Sequence, residues 1–219
     1  MKTVAIIGGT GHQGPGLALR WAKSGQYRVI IGSREAMKAQ IVAESLNTRL
    51  GQKLVTGATN DEAAAAADVV VLTVPYAAHA ETLESIRDRL KGKILVDVTV
   101  PLQPPKVSQV YVPPAGSASA EAQALLGDDV RVVCGFQNVS AVHLPNLDEP
   151  FECDVLVCGN DKEAKAEAIA LAAAAGLRGL DAGSLQNSVV VEGLTAILIG
   201  INRRYDVQGA GIKITGLSA

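Results

Sequence analysis

A chain of 219 residues with a formal net charge of −2 has room for one domain with a small appendage, and it offers no electrostatic case for binding nucleic acid or an anionic membrane. Apolar residues make up 48% but aromatics only 3%, so the interior must be built from Ala, Val, Leu and Ile, as suits parallel strands covered on both faces by helices. Three cysteines, Cys134, Cys153 and Cys158, cannot all pair within one chain and show no C-x-x-C spacing; they read as buried reduced thiols, with neither a disulfide nor a metal site expected.

Met1-Lys2-Thr3 runs directly into an apolar segment without the basic and apolar regions of a signal peptide, so a cytoplasmic location is expected. In chain order, strands are predicted at 3–8 (TVAIIG), 27–33 (YRVIIGS), near 53–57 (KLVTG), 68–75 (DVVVLTVP) and 93–101 (KILVDVTVP). Helices fall between them, over about 13–24, 35–50, 61–67 and 78–90. Strands separated by helices imply right-handed crossovers and a doubly wound, mostly parallel α/β sheet. Prolines 101, 104, 105, 113 and 114 make 102–118 a loop beyond a strand's carboxyl end, close to any ligand. A helix at 119–126, strands at 131–136, 153–159 and 177–182, and helices at 162–175 and 186–205 complete the chain. The apolar part of the last helix, 188–202, contains Glu192 and falls short of the roughly 20 residues a bilayer requires, so it reads as a core or subunit-contact helix in a homodimer. Residues 1–140 are expected to form a nucleotide-binding domain, and 141–219 a small C-terminal α/β lobe that completes the site.

The first predicted strand ends in Gly8-Gly9-Thr10-Gly11-His12-Gln13-Gly14, in which Gly9, Gly11 and Gly14 fill a G-x-G-x-x-G pattern. Between a strand and a helix, such glycines permit a tight turn, the approach of a pyrophosphate to the backbone, and close contact of helix and strand: the fingerprint of a Rossmann-type dinucleotide fold. Backbone N–H groups and the helix dipole then hold the anion. His12 has no carboxylate partner in its spacing and reads as a turn residue whose amide matters more than its ring.

At the end of the second strand an NAD site would carry Asp or Glu, to bond the ribose 2′-hydroxyl. This chain has Ser33 and Arg34 there, with Lys38 in the first turn of the next helix. A guanidinium fork, a hydroxyl and an ammonium suit a 2′-phosphate, so the expected cofactor is NADP. Glu35 is expected to turn toward the helix N-terminus.

Two strands end alike, in Thr73-Val74-Pro75 and Thr99-Val100-Pro101, and their carboxyl ends should wall the crevice where the nicotinamide lies, with Tyr76 and His79 at the following helix. There is no Tyr-x-x-x-Lys pair and no convincing acid–base dyad; His143, beside Asp148 and Glu149, reads as a surface ion partner. Carbonyl reduction would need a placed proton donor, whereas exchange between two ring cofactors needs chiefly proximity and orientation, so no catalytic side chain and no metal are assigned. Reduction of another small acceptor such as a flavin or an imine, and a non-catalytic NADP-binding redox sensor, are the alternatives.

GGTGHQG, GSR with Lys38, LTVP, NLDE at 146–149, DVLVCGND at 154–161, LDAGSLQNS at 180–188 with Glu192, and Gly211-Ile212-Lys213 together resemble the coenzyme F420-dependent NADP oxidoreductase family over nearly the whole chain. The resemblance implies hydride transfer between NADP(H) and the deazaflavin F420. It also implies NADP contacts at Thr10, Gly11, His12, Gln13, Ser33, Arg34 and Lys38, with Val74 and His79 beside the ribose and nicotinamide and Ala141 near the ring stack, next to the walls expected from Pro75, Val100 and Pro101. Gln137, Asn138, Val139 and Ala210 would border the deazaflavin. Gln137 and Ser140 stand where a member of that family carries His and Pro.

Overall fold

The computed structural model describes residues 1–148 and 152–217, so Glu149 of the NLDE segment lies outside the described residues. Its first strand, β1 (Lys2–Ile7), buries Val4, Ala5, Ile6 and Ile7 completely. Alternate side chains point to opposite faces, so Val4 and Ile6 enter one core while Ala5 and Ile7 enter the other. The first core lies under α1 (Gly14–Ser24), α2 (Ala36–Leu50) and α6 (Lys162–Ala174). The second lies under α3 (Asn60–Ala66), α4 (His79–Leu90), α5 (Ala118–Leu126) and α7 (Ser188–Tyr205).

The remaining strands are β2 (Tyr27–Ser33), β3 (Val55–Thr59), β4 (Val69–Leu72), β5 (Ile94–Asp97), β6 (Arg131–Cys134), β7 (Asp154–Gly159) and β8 (Arg178–Asp181). They form one eight-stranded sheet in the order β3-β2-β1-β4-β5-β6-β7-β8. All pairs are parallel except β6 with β7, which meet antiparallel at Val133↔Gly159 and Cys134↔Cys158. Strand order reverses at β1, which pairs with β2 on one side and β4 on the other; the crevice outside their carboxyl ends is where α/β sheets bind ligands. The expected doubly wound, Rossmann-type sheet is therefore the fold, and β7 and β8 extend its edge. The three cysteines are free and buried.

Several elements differ from the sequence reading. β3 starts at Val55 because the Asn47 side chain accepts from the N–H groups of Leu54 and Val55 and donates to the Val55 carbonyl, fixing the strand's first residue. β4 and β5 end at Leu72 and Asp97, so both Thr-Val-Pro tips are loop; Val98 N–H still donates to Leu72 O, but Thr99 N–H turns to the Asp97 side chain and leaves the ladder. The last helical stretch runs from Leu185 to Tyr205, 21 residues, because a 3-10 turn at Leu185–Asn187 precedes α7. By length and composition alone it could cross a membrane, contrary to the expectation of a helix too short to span; its buried Glu192 ties one face to α5, and a third of its apolar stretch is buried.

Candidate functional site

The glycine turn connects β1 to α1. Gly9 N–H donates to Gly32 O at 2.9 Å, and Gly8 N–H donates to Asn60 Oδ1 at 3.2 Å, so the ends of β2 and β3 shape the turn from outside. A Cβ on Gly9 would lie 2.7 Å from Ile6 O, and one on Gly14 would lie 2.6 Å from Gly9 Cα, so both positions require glycine for close backbone approach. α1 begins without a side-chain cap and without an acidic residue in its first turn. In contrast, α3, α5 and α6 are capped by Thr59, Ser117 and Asp161. An uncapped amino end at a glycine turn leaves donors and a positive dipole for an anion.

Next to the turn, a groove of ≈ 360 Å³ brings together Thr10, Gly11, Ser33, Arg34, Lys38, Val74 and Pro75, with Asn60 and Thr73 between them. Its strictly bound glycines, uncapped helix and two cations fit an NADP-type dinucleotide. A larger hollow of ≈ 590 Å³ sits at the amino ends of β1 and β2, around Thr3, Tyr27, Arg28 and Lys53, away from the strand ends where such sheets bind. Glu35 departs from expectation: it occupies the N-cap of α2 but makes no capping bond, and its Oε1 pairs with Lys38 Nζ at 2.6 Å. Arg34 is exposed in the groove, and the buried Ser33 carries its hydroxyl beside it.

Gly9 and Gly14 build the turn from within, and His12 is exposed on it. Gln13 faces the other way, its Nε2 donating to Phe136 O at 3.0 Å and to Val139 O at 3.3 Å, so it joins the glycine turn to the segment after β6. Val139 is a core residue. Asn138 is buried and donates to Asp154 O at 2.6 Å. Gln137, 4% exposed, donates to Asp97 O at 2.6 Å, and both it and Asn138 keep a side-chain oxygen without a partner. Val100, half-buried, and Pro101, buried, lie in the loop after β5 and do not line this groove, and Ala141 is half-buried in the loop after β6. The tail returns to that loop: Gly209 lies against His143, and Ala210 N–H donates to Asn202 Oδ1 at 2.9 Å.

His79 does not stand in the groove wall. It is 3% exposed, with Nε2 at 2.8 Å from Oδ2 of the wholly buried Asp97. Burial works against its charge, but the Asp97 carboxylate outweighs burial and holds the imidazole above its ordinary value. Glu192 of α7, 1% exposed, accepts from Ala118 N–H, Ser119 N–H and Ser119 Oγ at 2.7–3.0 Å. Burial, and then Asp97, push its carboxyl up to about 7 against those hydrogen bonds. Asn60, Asp97 and the buried Arg20 were missed by the sequence reading as parts of the site and its support. The signal for Asp97 was present in KILVDV, a lone acid inside an apolar strand.

Residues 3–101 match the family model described as NADP oxidoreductase, coenzyme F420-dependent. An F420-dependent NADP reductase of Methanocaldococcus jannaschii is 43% identical, the alignment covering 98% of each chain. One from Methanothermobacter thermautotrophicus is also 43% identical, over 98% of this chain and 95% of its own. A solved structure from Arthrobacter sp. FB24, described as a candidate F420-dependent NADP reductase, superposes with a TM-score of 0.79 at 25% identity over 98% of this chain and 99% of its own. With the glycine turn, the Arg34 groove and near-complete alignments at this identity, the chain belongs to the coenzyme F420-dependent NADP oxidoreductase family.

Proposed function

We propose that this protein transfers a hydride between NADP(H) and the deazaflavin coenzyme F420. The observation that carries the reading is the groove itself, a glycine turn opening an uncapped helix with Arg34, Ser33 and Lys38 at the end of β2, in a chain alignable along its length with F420-dependent NADP reductases. When bound, the two coenzymes supply the hydride donor and the ring acceptor. The turn from Gly9 to Gly14, with Thr10, Gly11, His12 and Gln13, would take the pyrophosphate; Arg34, Ser33 and Lys38 would take the 2′-phosphate. Val74, Pro75, Val100, Pro101 and Ala141 would exclude water around the rings, and Gln137, Asn138, Val139 and Ala210 would shape the deazaflavin side. The unpartnered Gln137 oxygen is an acceptor that a ligand N–H could satisfy. Residues 1–140 would carry the NADP site together with Gln137, Asn138 and Val139 on the deazaflavin side, and 141–219 would complete the acceptor site.

Arg34→Ala is expected to weaken NADPH binding by about tenfold or more while leaving NADH binding almost unchanged, since a charge-assisted fork to the phosphate is lost. Titration of both dinucleotides checks this. Equal losses would contradict the placement of the guanidinium on the phosphate. With wild-type protein and NADPH, the visible absorption band of F420 should disappear; a redox sensor would bind NADPH and leave the band intact.

We also propose a homodimer working in the cytoplasm with these small molecules as its partners, without nucleic acid or membrane. On α7, Val190 (64% exposed), Leu194, Ile197 (50% exposed) and Ile201 fall at helical spacing into one apolar stripe, flanked by the exposed Val110 and Val112. A second copy could bury it. Ile197→Glu should give a monomer in sedimentation at micromolar concentration; an unchanged sedimenting mass would remove α7 as the contact. Buried free thiols fit a reducing compartment.

A further inference from the structure

Asp97 is 0% exposed at the carboxyl end of β5, and every oxygen it has is engaged. Oδ2 lies 2.8 Å from His79 Nε2, Oδ1 accepts from Thr99 N–H at 3.0 Å, and the backbone oxygen accepts from Gln137 Nε2 at 2.6 Å. Two further bonds lengthen the chain: Thr99 Oγ1 donates to Val74 O at 3.4 Å, and Thr195 Oγ1 of α7 donates to Gln137 O at 2.8 Å. Hydrogen bonds thus run from the tip beyond β4, through the ends of β5 and β6, to α7, with one carboxylate at the centre.

We infer that Asp97 is a positioning residue for hydride transfer: by holding His79 at the first residue of α4 and Thr99 in the loop after β5, it fixes the Val74-Pro75 edge of the crevice relative to the Val100-Pro101 edge. The inference rests on the crevice being where the hydride passes, as proposed above. The residues proposed to grip the phosphates stand in the turn after β1 and at the junction of β2 with α2, and among the described residues none of them bonds Asp97, His79 or Thr99. Loss of the pair should therefore disturb the ring end of the dinucleotide and spare its phosphate end. Because transfer needs reacting atoms at about 3–3.5 Å, a shift of about 1 Å costs on the order of a hundredfold.

A buried acid and base of opposite charge are costly to separate, because whichever remains is left charged in a place water cannot reach. The charged and titratable groups facing His79 are Asp97 from β5, Tyr76 from the 3-10 turn before α4, Glu121 from α5, to which the Tyr76 hydroxyl donates at 2.9 Å, and Glu192 from α7. Burial alone favours the neutral ring, and the carboxylate of Asp97 is the chief opposing influence. Removing that one charge should therefore change the ring's protonation as well as its fixation, which a merely space-filling role would not do.

The test uses the full chain with Asp97→Asn, and His79→Gln as a second variant that also assigns the His79 resonances. Three readouts are taken: imidazole titration by NMR, the dissociation constant and nicotinamide fluorescence of bound NADPH, and single-turnover transfer to F420. In Asp97→Asn, His79 should lose its proton at lower pH than in the wild-type protein, NADPH affinity should stay within about threefold, and the fluorescence gained by the held nicotinamide should fall. Transfer should slow by about 10- to 100-fold. Unchanged His79 titration, or wild-type fluorescence and transfer in a folded variant, would overturn the inference. If Asp97→Asn does not fold, His79→Gln decides: slowed transfer and reduced fluorescence support the role, wild-type values refute it. If the wild-type protein reduces no F420, the functional reading fails by itself, and titration and fluorescence still decide the role of Asp97.

Discussion

Arg20→Met is expected to destabilise the protein by roughly 3–5 kcal/mol, the largest loss foreseen for a single side chain outside the groove. Arg20 is buried in α1, and its guanidinium donates to Leu144 O at 2.8 Å, Ala175 O at 2.9 Å, His143 O at 3.3 Å and Asn146 O at 2.7 Å. Burial lowers the guanidinium's hold on its proton, yet among the described residues no carboxylate pairs with it, and backbone carbonyls receive the charge. Methionine fills much the same volume but takes the donor from the carbonyls of Leu144, Ala175 and Asn146, while His143 O keeps the Asn146 N–H at 3.1 Å. For a chain of this size the loss corresponds to a fall in Tm of about 10 °C or more, measurable by calorimetry. Arg20→Lys should recover part of it, because an ammonium cannot reach all four carbonyls at once. A variant melting within a degree or two of wild type would show that the loop is held by other contacts. Because Arg20 ties α1 to the 143–146 loop, faster proteolysis of that loop should accompany the loss.

Stability of the wild-type protein should decline by roughly 3 kcal/mol as pH rises from about 4.5 to beyond 7, and Glu192→Gln should remove most of that decline. The sign follows from the direction of the shift. Burial first, and Asp97 next, raise the folded-state carboxyl from 4.5 to about 7, so between those values the folded chain holds a proton that the unfolded chain has released. The stabilisation is complete below the unfolded value and is lost as pH rises through the folded one. His79, also raised, adds a loss of the same sign above its ordinary 6.5, so the comparison must be between wild type and variant and not along one curve. Urea unfolding at about pH 5 and pH 8 provides it. Parallel curves for the two proteins would mean that Glu192 remains ionised throughout, held by the amino end of α5. Its three hydrogen bonds join α7 to α5, so the same titration should loosen the helix that carries Thr195 above Gln137.

Much of the nucleotide half was legible because its chemistry is local. The turn from Gly8 to Gly14, the missing acid at Ser33 and Arg34, and Lys38 one turn later sit within a single β-α-β stretch, where spacing along the chain fixes spacing in the fold. The structure brings Thr10, Gly11, Ser33, Arg34, Lys38, Val74 and Pro75 to one groove. The surroundings of His79 were not legible. Its position after Pro75 suggested a crevice residue, but Asp97, eighteen residues away on the neighbouring strand, draws the ring inside. Glu35 likewise answers to Lys38 in preference to the helix end, since an ammonium at 2.6 Å is a stronger partner than an exposed dipole.

Strand and helix periodicity, the glycine spacing and the charge at the end of β2 follow from sequence alone, since each depends on residues within about thirty positions of one another. The tertiary structure decided the rest: that Gln13 bonds the carbonyls of Phe136 and Val139, that Arg20 holds the 143–146 loop, that Asp97 joins three strand ends, and that Glu192 closes on α5. Each of these unites groups far apart in the chain, and each is fixed by the need of a buried polar atom for whichever partner folding brings within reach.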